Sequence, residues 1–168
     1  MNQLPGSAHS MMFIKCIEIM GNEQQQEEFL ARAKNYEIIG CYAQTEIAHG
    51  SDVRGLLTTA TFDEKTDEFV IDTPSIEAAK YWPGDLGILA THALVYAELR
   101  IKDQKYGIHP FIVPIRDKEH NPLPNIEVGD IGPKIGFFSK DNGYLVMKKV
   151  RIPRTNMLQR FVTVTRNG

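Results

Sequence analysis

The spacing of glycine and proline after Gly40 limits the possible folds of this chain more than any other feature. These residues separate short apolar runs throughout 40–168, and such punctuation is typical of strands joined by turns. About six or seven runs follow one another without helical segments between them, which predicts an antiparallel β-barrel or sandwich.

Six of these runs are predicted to be strands: Leu56–Phe62, Glu68–Asp72, Ile88–Ile101, Ile108–Ile115, Ile126–Val128 and Gly143–Ile152. The polar connection at 63–67 has the length of a hairpin loop, so the first two strands are expected to pair directly. Pro110 and Pro114 interrupt the fourth run. Because proline cannot donate to a strand ladder, this strand is expected at a sheet edge or at a bulge.

Residues 1–39 have a different, helical character. The run Met11–Met20 is apolar almost all round, which predicts a helix buried between neighbours. Asn22 is the predicted N-cap of a second helix, which ends near Ala33 and has one apolar face. Two helices cannot form a core alone, so this segment is expected to dock on another element. The predicted fold class is α+β, with helices in 1–39 and the β-barrel in 40–168.

The charge balance excludes several classes of partner. The chain has 168 residues, with 19 Lys and Arg against 21 Asp and Glu. Its net charge of -2 gives no electrostatic attraction to nucleic acid or to an anionic membrane.

The apolar runs of the chain are shorter than the roughly 20 residues of a membrane span. The start has no basic region followed by an apolar run, so no secretory signal is predicted.

The cysteines and histidines do not form a recognisable site. Cys16 and Cys41 are the only cysteines, and they are expected to be free thiols in a reducing compartment. The five histidines lack metal-ligand spacing, and neither cysteine belongs to a Cys-x-x-Cys motif. No metal site is therefore predicted. Together with the charge balance, these features predict a soluble, intracellular chain of about one domain.

Two segments are candidates for binding a flat polar ligand. The segment 40–52 concentrates small residues and hydroxyl groups beside Tyr42, so its backbone could approach a ligand closely. The segment 80–87 holds the only tryptophan, Trp82, next to Gly84. A turn-rich connection in the first segment and a core tryptophan in the second explain the same composition equally well.

Together, the two segments resemble the acyl-CoA oxidase branch of the acyl-CoA dehydrogenase/oxidase family. Cys-Tyr-Ala-Gln-Thr-Glu at 41–46, followed by His-Gly at 49–50, is close to the motif with which the oxidases enter their middle domain. Further similar motifs follow in the same order: Thr-Thr-Ala-Thr at 58–61, Lys-Tyr-Trp-Pro-Gly at 80–84, His-Pro-Phe-Ile-Val-Pro-Ile-Arg at 109–116, Gly-Asp-Ile-Gly-Pro-Lys at 129–134, Asp-Asn-Gly at 141–143 and Val-Arg-Ile-Pro-Arg at 150–154. The resemblance covers essentially the whole chain.

The resemblance implies a helical N-terminal domain, a middle β-barrel and C-terminal helical regions. This chain would hold the end of the first (1–39) and all of the second (40–168). FAD is the implied cofactor and fatty acyl-CoA the implied substrate, oxidised to trans-2-enoyl-CoA while oxygen becomes hydrogen peroxide, in the first step of fatty acid β-oxidation. A homodimer or complementing subunit and a peroxisomal location are implied by the family, since the chain contains no targeting signal.

Four positions are implied to face the cofactor. Thr45 matches the threonine that bonds the pyrimidine edge of the flavin, and Ser51 falls where the dehydrogenases place a serine near the flavin phosphate and acyl-CoA. Gly84 matches the oxidase glycine whose backbone faces the flavin, with Trp82 as the adjoining wall. Because the dehydrogenases have threonine in place of Gly84, glycine there is expected to open space for oxygen. Glu46 is interpreted as a structural part of its motif and not as a base.

The catalytic carboxylate of the family lies in the C-terminal helical region, which corresponds to sequence beyond Gly168. No catalytic residue is therefore predicted in this chain, and the isolated chain is expected to bind FAD weakly without turnover. Two other functions stay open: a degenerate paralogue that acts as a structural or binding subunit, and an acyl-CoA dehydrogenase that passes electrons to a flavoprotein. Retention of Thr45, Ser51 and Gly84 favours the oxidase over the first alternative. The residues of two motifs, Gln-Thr-Glu at 44–46 and Trp-Pro-Gly at 82–84, favour the oxidase over the second.

Overall fold

The computed structural model describes residues 6–168, so the first five residues of the predicted helical segment 1–39 lie outside the described part. The helices come first: a π-helical turn at His9–Phe13 that continues into α1 (Ile14–Met20), then α2 (Glu23–Gln25), a second π-helical turn at Gln26–Leu30, and α3 (Ala31–Lys34). Asn22 caps α2 as predicted, because its side chain accepts the backbone N–H of Gln25 and the Gln25 side chain accepts that of Asn22.

Within residues 6–168, nine strands follow: β1 (Gly40–Ala43), β2 (Thr59–Asp63), β3 (Glu68–Asp72), β4 (Lys80–Gly84), β5 (His92–Ile101), β6 (Gln104–Pro114), β7 (Ile126–Asp130), β8 (Asn142–Met147) and β9 (Val150–Pro153). They form a sheet of order β1-β5-β2-β3-β9, with β6 on β5, and a second sheet of order β4-β8-β7. One apolar core lies between the two curled sheets. The α+β class, with short helices before a barrel-like β domain, is confirmed.

The long strand β5 organises the larger sheet. Its first half pairs with β1 and its second half with β2, and both of these pairings are parallel. The other pairings are antiparallel, including the predicted hairpin of β2 and β3. The expectation of an antiparallel sheet therefore needs one correction. Strands β1 and β2 lie end to end along one edge of β5, and both run in the same direction as β5.

Of the six predicted strands, only Glu68–Asp72 has the predicted bounds in the structure; three others shift at their ends by up to four residues, and the remaining two change for reasons that the structure shows. The run Gly143–Ile152 is divided between β8 and β9, which belong to different sheets. Lys149 adopts a left-handed φ of 55° at the turn between them, and alternation of apolar residues does not reveal such a turn. The run Ile88–Ile101 becomes a strand only at His92. Arg116 explains this, because its buried guanidinium binds three carbonyl oxygens of the preceding turn, in Leu86, Gly87 and Ala90.

The prediction of an edge strand around Pro110 and Pro114 is confirmed. Both prolines lie in β6, whose ladder partner is β5. On its other side, the carbonyl of Pro110 accepts the N–H of Leu158, so the C-terminal segment covers part of this edge.

The helical segment packs on the sheet with one face only. A second apolar cluster joins both layers: Phe13, Ile17, Phe29 and Ala33 from the helices, with Ile38, Leu94, Ile112 and Leu158. Met11 and Ile19 are 74% and 58% exposed, so the prediction that Met11–Met20 is buried on all sides is wrong for the described residues. The sheet covers a single face, and no described residue is placed over the other. No helix in residues 6–168 has the length and apolarity to cross a membrane.

Buried polar side chains fix how the helices sit on the sheet. Gln25 donates to the carbonyl oxygens of Thr155 and Met157 and accepts the N–H of Gln159. His9 accepts the N–H of Gly40 on Nδ1 and contacts the carbonyl of Ala33 through Nε2, both at 3.0 Å. A backbone N–H can only donate, so Nδ1 must be unprotonated and Nε2 carries the hydrogen. The imidazole is therefore neutral, and burial lowers its pKa.

Substituting Gln25→Ala is expected to lower the free energy of unfolding by about 2–3 kcal/mol, because it leaves buried carbonyl and N–H groups without partners. Urea denaturation measures the change. Gln24→Ala is the matched control, since Gln24 is exposed on the same helix. Equal stability of the two variants would contradict the anchoring role of Gln25.

Acidification is expected to destabilise the fold through His92. Burial, with a contribution from Arg32, lowers the pKa of His92 from 6.5 to about 4. Between these values the unfolded chain binds a proton that the folded chain does not, so the stabilisation is complete above pH 6.5 and is lost as the pH falls toward 4. Urea denaturation at several pH values should show a shallower decline for His92→Gln than for the parent. An identical pH dependence would contradict this role.

Candidate functional site

A cleft of about 340 Å³ lies between the start of the helical segment and strand β4. Its lining comes from four parts of the chain: Ser7, Ala8, Met11 and Met12; Tyr42, Gln44 and Thr45; Tyr81, Trp82, Pro83 and Gly84; and Lys140 and Asn142. The structure therefore brings together Thr45, Trp82 and Gly84, three of the four positions predicted to face a cofactor. Ser51 does not line this cleft and is exposed in the turn region after Glu46.

Strand β4 bends at the cleft, and this bend presents Trp82. The register with β8 shifts between Tyr81 and Gly84, and Trp82 has a left-handed φ of 63°. Such a conformation costs energy for a bulky residue and persists only where its surroundings hold it. Asn142 supplies that support, because its buried amide donates to the Trp82 carbonyl at 2.7 Å. The Trp82 side chain is 58% exposed, so Trp82 is not a core residue in the described chain.

A fully buried ion pair supports the cleft from below. Lys80 Nζ lies 2.9 Å from Glu46 Oε1, and both side chains are 0% exposed. The Glu46 carboxylate also accepts the N–H groups of Leu57 and Thr58 and the hydroxyl of Thr58, at 2.6–2.9 Å. Its oxygens are thus occupied by structural donors. Glu46 holds the chain in place and is not available to take a proton from a ligand.

The pKa values of this pair follow from burial and from mutual attraction. Burial raises the pKa of Glu46, but Lys80 and the donors from Leu57 and Thr58 outweigh it, so the pKa of Glu46 is lowered. Burial lowers the pKa of Lys80 to about 8, against the attraction of Glu46. We conclude that the carboxylate stays ionised because its donors compensate for the lost water.

Lys80 also closes a gap in the larger sheet. The ladder of β1 on β5 ends at Val95, and the ladder of β2 begins at Glu98. Between them the carbonyl of Tyr96 accepts Lys80 Nζ at 2.7 Å, and the carbonyl of Gln44 accepts it at 3.1 Å. The ammonium group therefore fixes the point where the chain leaves β1 and enters the cleft.

Thr45 brings a hydroxyl group to the lining of the cleft. Its carbonyl accepts the N–H of Tyr81 at 3.0 Å, which ties the first candidate segment to the second. Its half-buried hydroxyl makes no hydrogen bond to another described residue. With the exposed ring of Trp82 and the backbone of Gly84 nearby, the donor set suits a flat heteroaromatic ring with polar edges.

Lys140 and Asp85 form a second buried ion pair at the wall of the cleft. Asp85 also accepts the N–H groups of Gly6 and Ala8, and Lys140 donates to the Ser7 hydroxyl. Sequence reasoning did not identify this group. Asn142 could have been found, since it lies inside the quoted Asp-Asn-Gly motif, but Lys140 carries no comparable signal because its partners are distant in the sequence.

The cleft offers no general base among the residues that the structure describes. Its lining contains no carboxylate, and the nearby carboxylates of Glu46 and Asp85 are both paired with lysine. The geometry can bind and orient a ring, but the described residues cannot remove a proton from a ligand in this cleft.

Two protein-family models together match nearly the whole chain. Residues 41–150 match the middle domain of acyl-CoA dehydrogenase, and residues 1–39 match the N-terminal region of acyl-coenzyme A oxidase. Peroxisomal acyl-coenzyme A oxidase 1 from Arabidopsis thaliana is 57% identical over 164 residues, which are 95% of this chain and 25% of that protein. The chain thus spans about a quarter of the length of the curated relatives it matches.

Solved structures agree with these matches. Acyl-CoA oxidase 1 from Arabidopsis thaliana superposes with a TM-score of 0.96 and 53% identity, covering 99% of this chain and 26% of that one. Acyl-CoA oxidase-2 from Caenorhabditis elegans, bound with FAD, ascaroside-CoA and ATP, superposes with a TM-score of 0.96 and 49% identity, covering 98% of this chain and 25% of that one.

Substituting Lys80→Met is expected to lower the free energy of unfolding by about 3–5 kcal/mol, because Glu46 is then a buried charge without a counter-ion. The double variant Glu46→Gln/Lys80→Met should recover part of this loss, since an amide oxygen can still accept from Thr58. Urea denaturation measures both. Lys148→Met, at an exposed position, should change stability by less than about 0.5 kcal/mol. A Lys80→Met variant as stable as the control would refute the supporting role of the pair.

Proposed function

The chain belongs to the acyl-CoA dehydrogenase/oxidase family, and we propose that it provides the flavin-facing part of an acyl-CoA oxidase. In this proposal residues 1–39 are the end of the N-terminal helical domain, and residues 40–168 are the middle β-barrel domain. The observation that carries it is the meeting of Thr45, Trp82 and Gly84 in one cleft. The match of 1–39 to an oxidase N-terminal region supports an oxidase over a dehydrogenase.

FAD is the cofactor proposed for this cleft. Thr45 brings a hydroxyl that has no hydrogen-bond partner among residues 6–168. This hydroxyl can bond the pyrimidine edge of an isoalloxazine ring, and Trp82 provides an aromatic wall beside it. Gly84 contributes backbone to the same wall of the cleft, beside the side chain of Lys140. Ser51 is proposed to lie along the phosphate part of the cofactor, outside the cleft. When bound, FAD would accept a hydride from the substrate and pass the electrons to oxygen.

The residues of this chain bind and orient in this proposal, while proton removal belongs to another part of the protein. The substrate proposed is a fatty acyl-CoA, oxidised to the trans-2-enoyl-CoA with hydrogen peroxide as the second product. The base that removes the proton alpha to the thioester is proposed to come from outside 1–168, because the described lining of the cleft contains no carboxylate. The isolated chain is therefore proposed to bind FAD weakly and not to turn over.

Two further properties are proposed, the first from a relative and the second from the surface of the cleft. A peroxisomal location is supported by the name of the Arabidopsis relative. A homodimer or a complementing subunit is proposed because the cleft has walls on the helical segment and β4, whereas exposed apolar side chains such as Met11 and Trp82 remain beside it.

Titration of the 168-residue chain with FAD tests the proposal. Trp82 is the only tryptophan, so quenching of its fluorescence reports on a ring in the cleft. Thr45→Ala is expected to raise the Kd about three- to tenfold, because one hydrogen bond to the ring edge is lost.

Thr163→Ala is the matched control, since Thr163 is exposed near the C-terminus, and its Kd should equal that of the parent. Unquenched Trp82 fluorescence at saturating FAD would contradict the flavin site. Hydrogen peroxide release from the isolated chain with FAD and palmitoyl-CoA would contradict the proposal that the base lies elsewhere.

A further inference from the structure

The absence of a side chain at position 84 has a specific structural cause. Gly84 does not have a positive φ, so its backbone conformation is open to other residues. A Cβ added to Gly84 would lie 2.5 Å from Cε of Lys140 and 3.4 Å from its Nζ. The space that a side chain at 84 would enter, which the family resemblance suggested was open for oxygen, is taken by the Lys140 side chain.

Lys140 is not free to move away from Gly84. Its side chain is 3% exposed and is paired with Asp85, which is 1% exposed. Its Nζ also donates to the Ser7 hydroxyl at 2.9 Å. A flexible lysine end normally yields to a new methyl group, but here any movement would leave the buried Asp85 carboxylate without its counter-ion.

The pair formed by Lys140 and Asp85 connects two walls of the cleft. Asp85 follows directly after β4 and the bend that presents Trp82. The same carboxylate accepts the N–H groups of Gly6 and Ala8, at 3.1 and 2.9 Å, where the helical segment begins. That segment carries Met11 into the cleft. The ion pair therefore holds the helical wall against the β4 wall.

We propose that Lys140 is a positioning residue of this cleft and that position 84 is glycine so that the Lys140 side chain can pass across it. Positions 84 and 140 are then coupled: a side chain at 84 displaces Lys140, releases Asp85 and loosens the walls around Trp82. This proposal deepens the function proposed above and rests on it only for the identity of the ring that the walls enclose.

A double-mutant cycle in the 168-residue chain tests the coupling. Gly84→Ala alone is expected to lower the midpoint of thermal unfolding by about 4 °C or more. Lys140→Ala also lowers it, but adding Gly84→Ala to Lys140→Ala should cost nothing further, since the clashing atoms are gone. Lys140→Met keeps the stem of the side chain, so Gly84→Ala should remain harmful in that background. Gly136→Ala is the control, because its Cβ would contact no atom within 4 Å.

The fluorescence of Trp82 distinguishes positioning from general stability. At a temperature where every variant is folded, Lys140→Ala and Gly84→Ala are expected to shift the emission maximum of Trp82, because the walls beside it are released. Gln25→Ala lowers stability at a distant contact and should leave the emission unchanged.

Three results would overturn the proposal: a harmless Gly84→Ala, an equal loss from Gly84→Ala with and without Lys140, or an unchanged Trp82 emission in Lys140→Ala. None of these measurements uses FAD. A failure of FAD binding would therefore contradict the proposed function only. The coupling between positions 84 and 140 is decided by the double-mutant cycle and the Trp82 emission.

Discussion

The buried ion pair between Glu46 and Lys80 is the interaction on which the cleft depends. Strand β5 carries β1 and β2 on the same edge with an interruption between them, so the chain must leave the sheet and return to it. Lys80 binds the carbonyl exposed at the interruption, and Glu46 binds the N–H groups where the chain returns. Two charges without water are tolerated here because hydrogen bonds satisfy both. Their combined effect is to fix the segment that contains Thr45.

The same principle recurs at two other buried cations. Arg116 is buried behind the turn after β4 and binds its carbonyl groups, while Lys140 binds Asp85 at the end of that strand. Arg116 binds backbone directly, whereas Lys140 acts through Asp85, whose carboxylate accepts the N–H groups of Gly6 and Ala8. The strained conformation of Trp82 persists within this frame, supported directly by Asn142. A site built in this way is preformed, which suits the binding of a rigid planar ring.

Local pattern predicted the elements whose signals are local. The hairpin of β2 and β3, the edge position of Pro110 and the cap at Asn22 each depend on residues close in sequence, and all are present. The division of β8 from β9 depends on the left-handed turn at Lys149, for which a lysine gives no warning. The parallel pairing of β5 likewise results from the path of the whole chain.

The residues of the candidate site likewise divide into those that local motifs predicted and one that depends on a distant partner. The family motifs gave Thr45, Trp82 and Gly84, which share a cleft, and they gave Ser51, which lies outside it. Lys140 was missed because its meaning comes from Asp85, 55 residues away. Periodicity and spacing do not encode a contact of that kind. The contact between Lys140 and position 84 becomes visible only when the three-dimensional positions of both residues are known.

Buried ion pairs thus bring two distant segments into one cleft, for which a flavin is the proposed ligand. Hydrogen–deuterium exchange of the 168-residue chain, with and without saturating FAD, tests it most directly. FAD is expected to slow exchange in both 42–46 and 80–84, because their backbones form one cleft. Protection confined to one of these segments, or located only elsewhere in the chain, would contradict it.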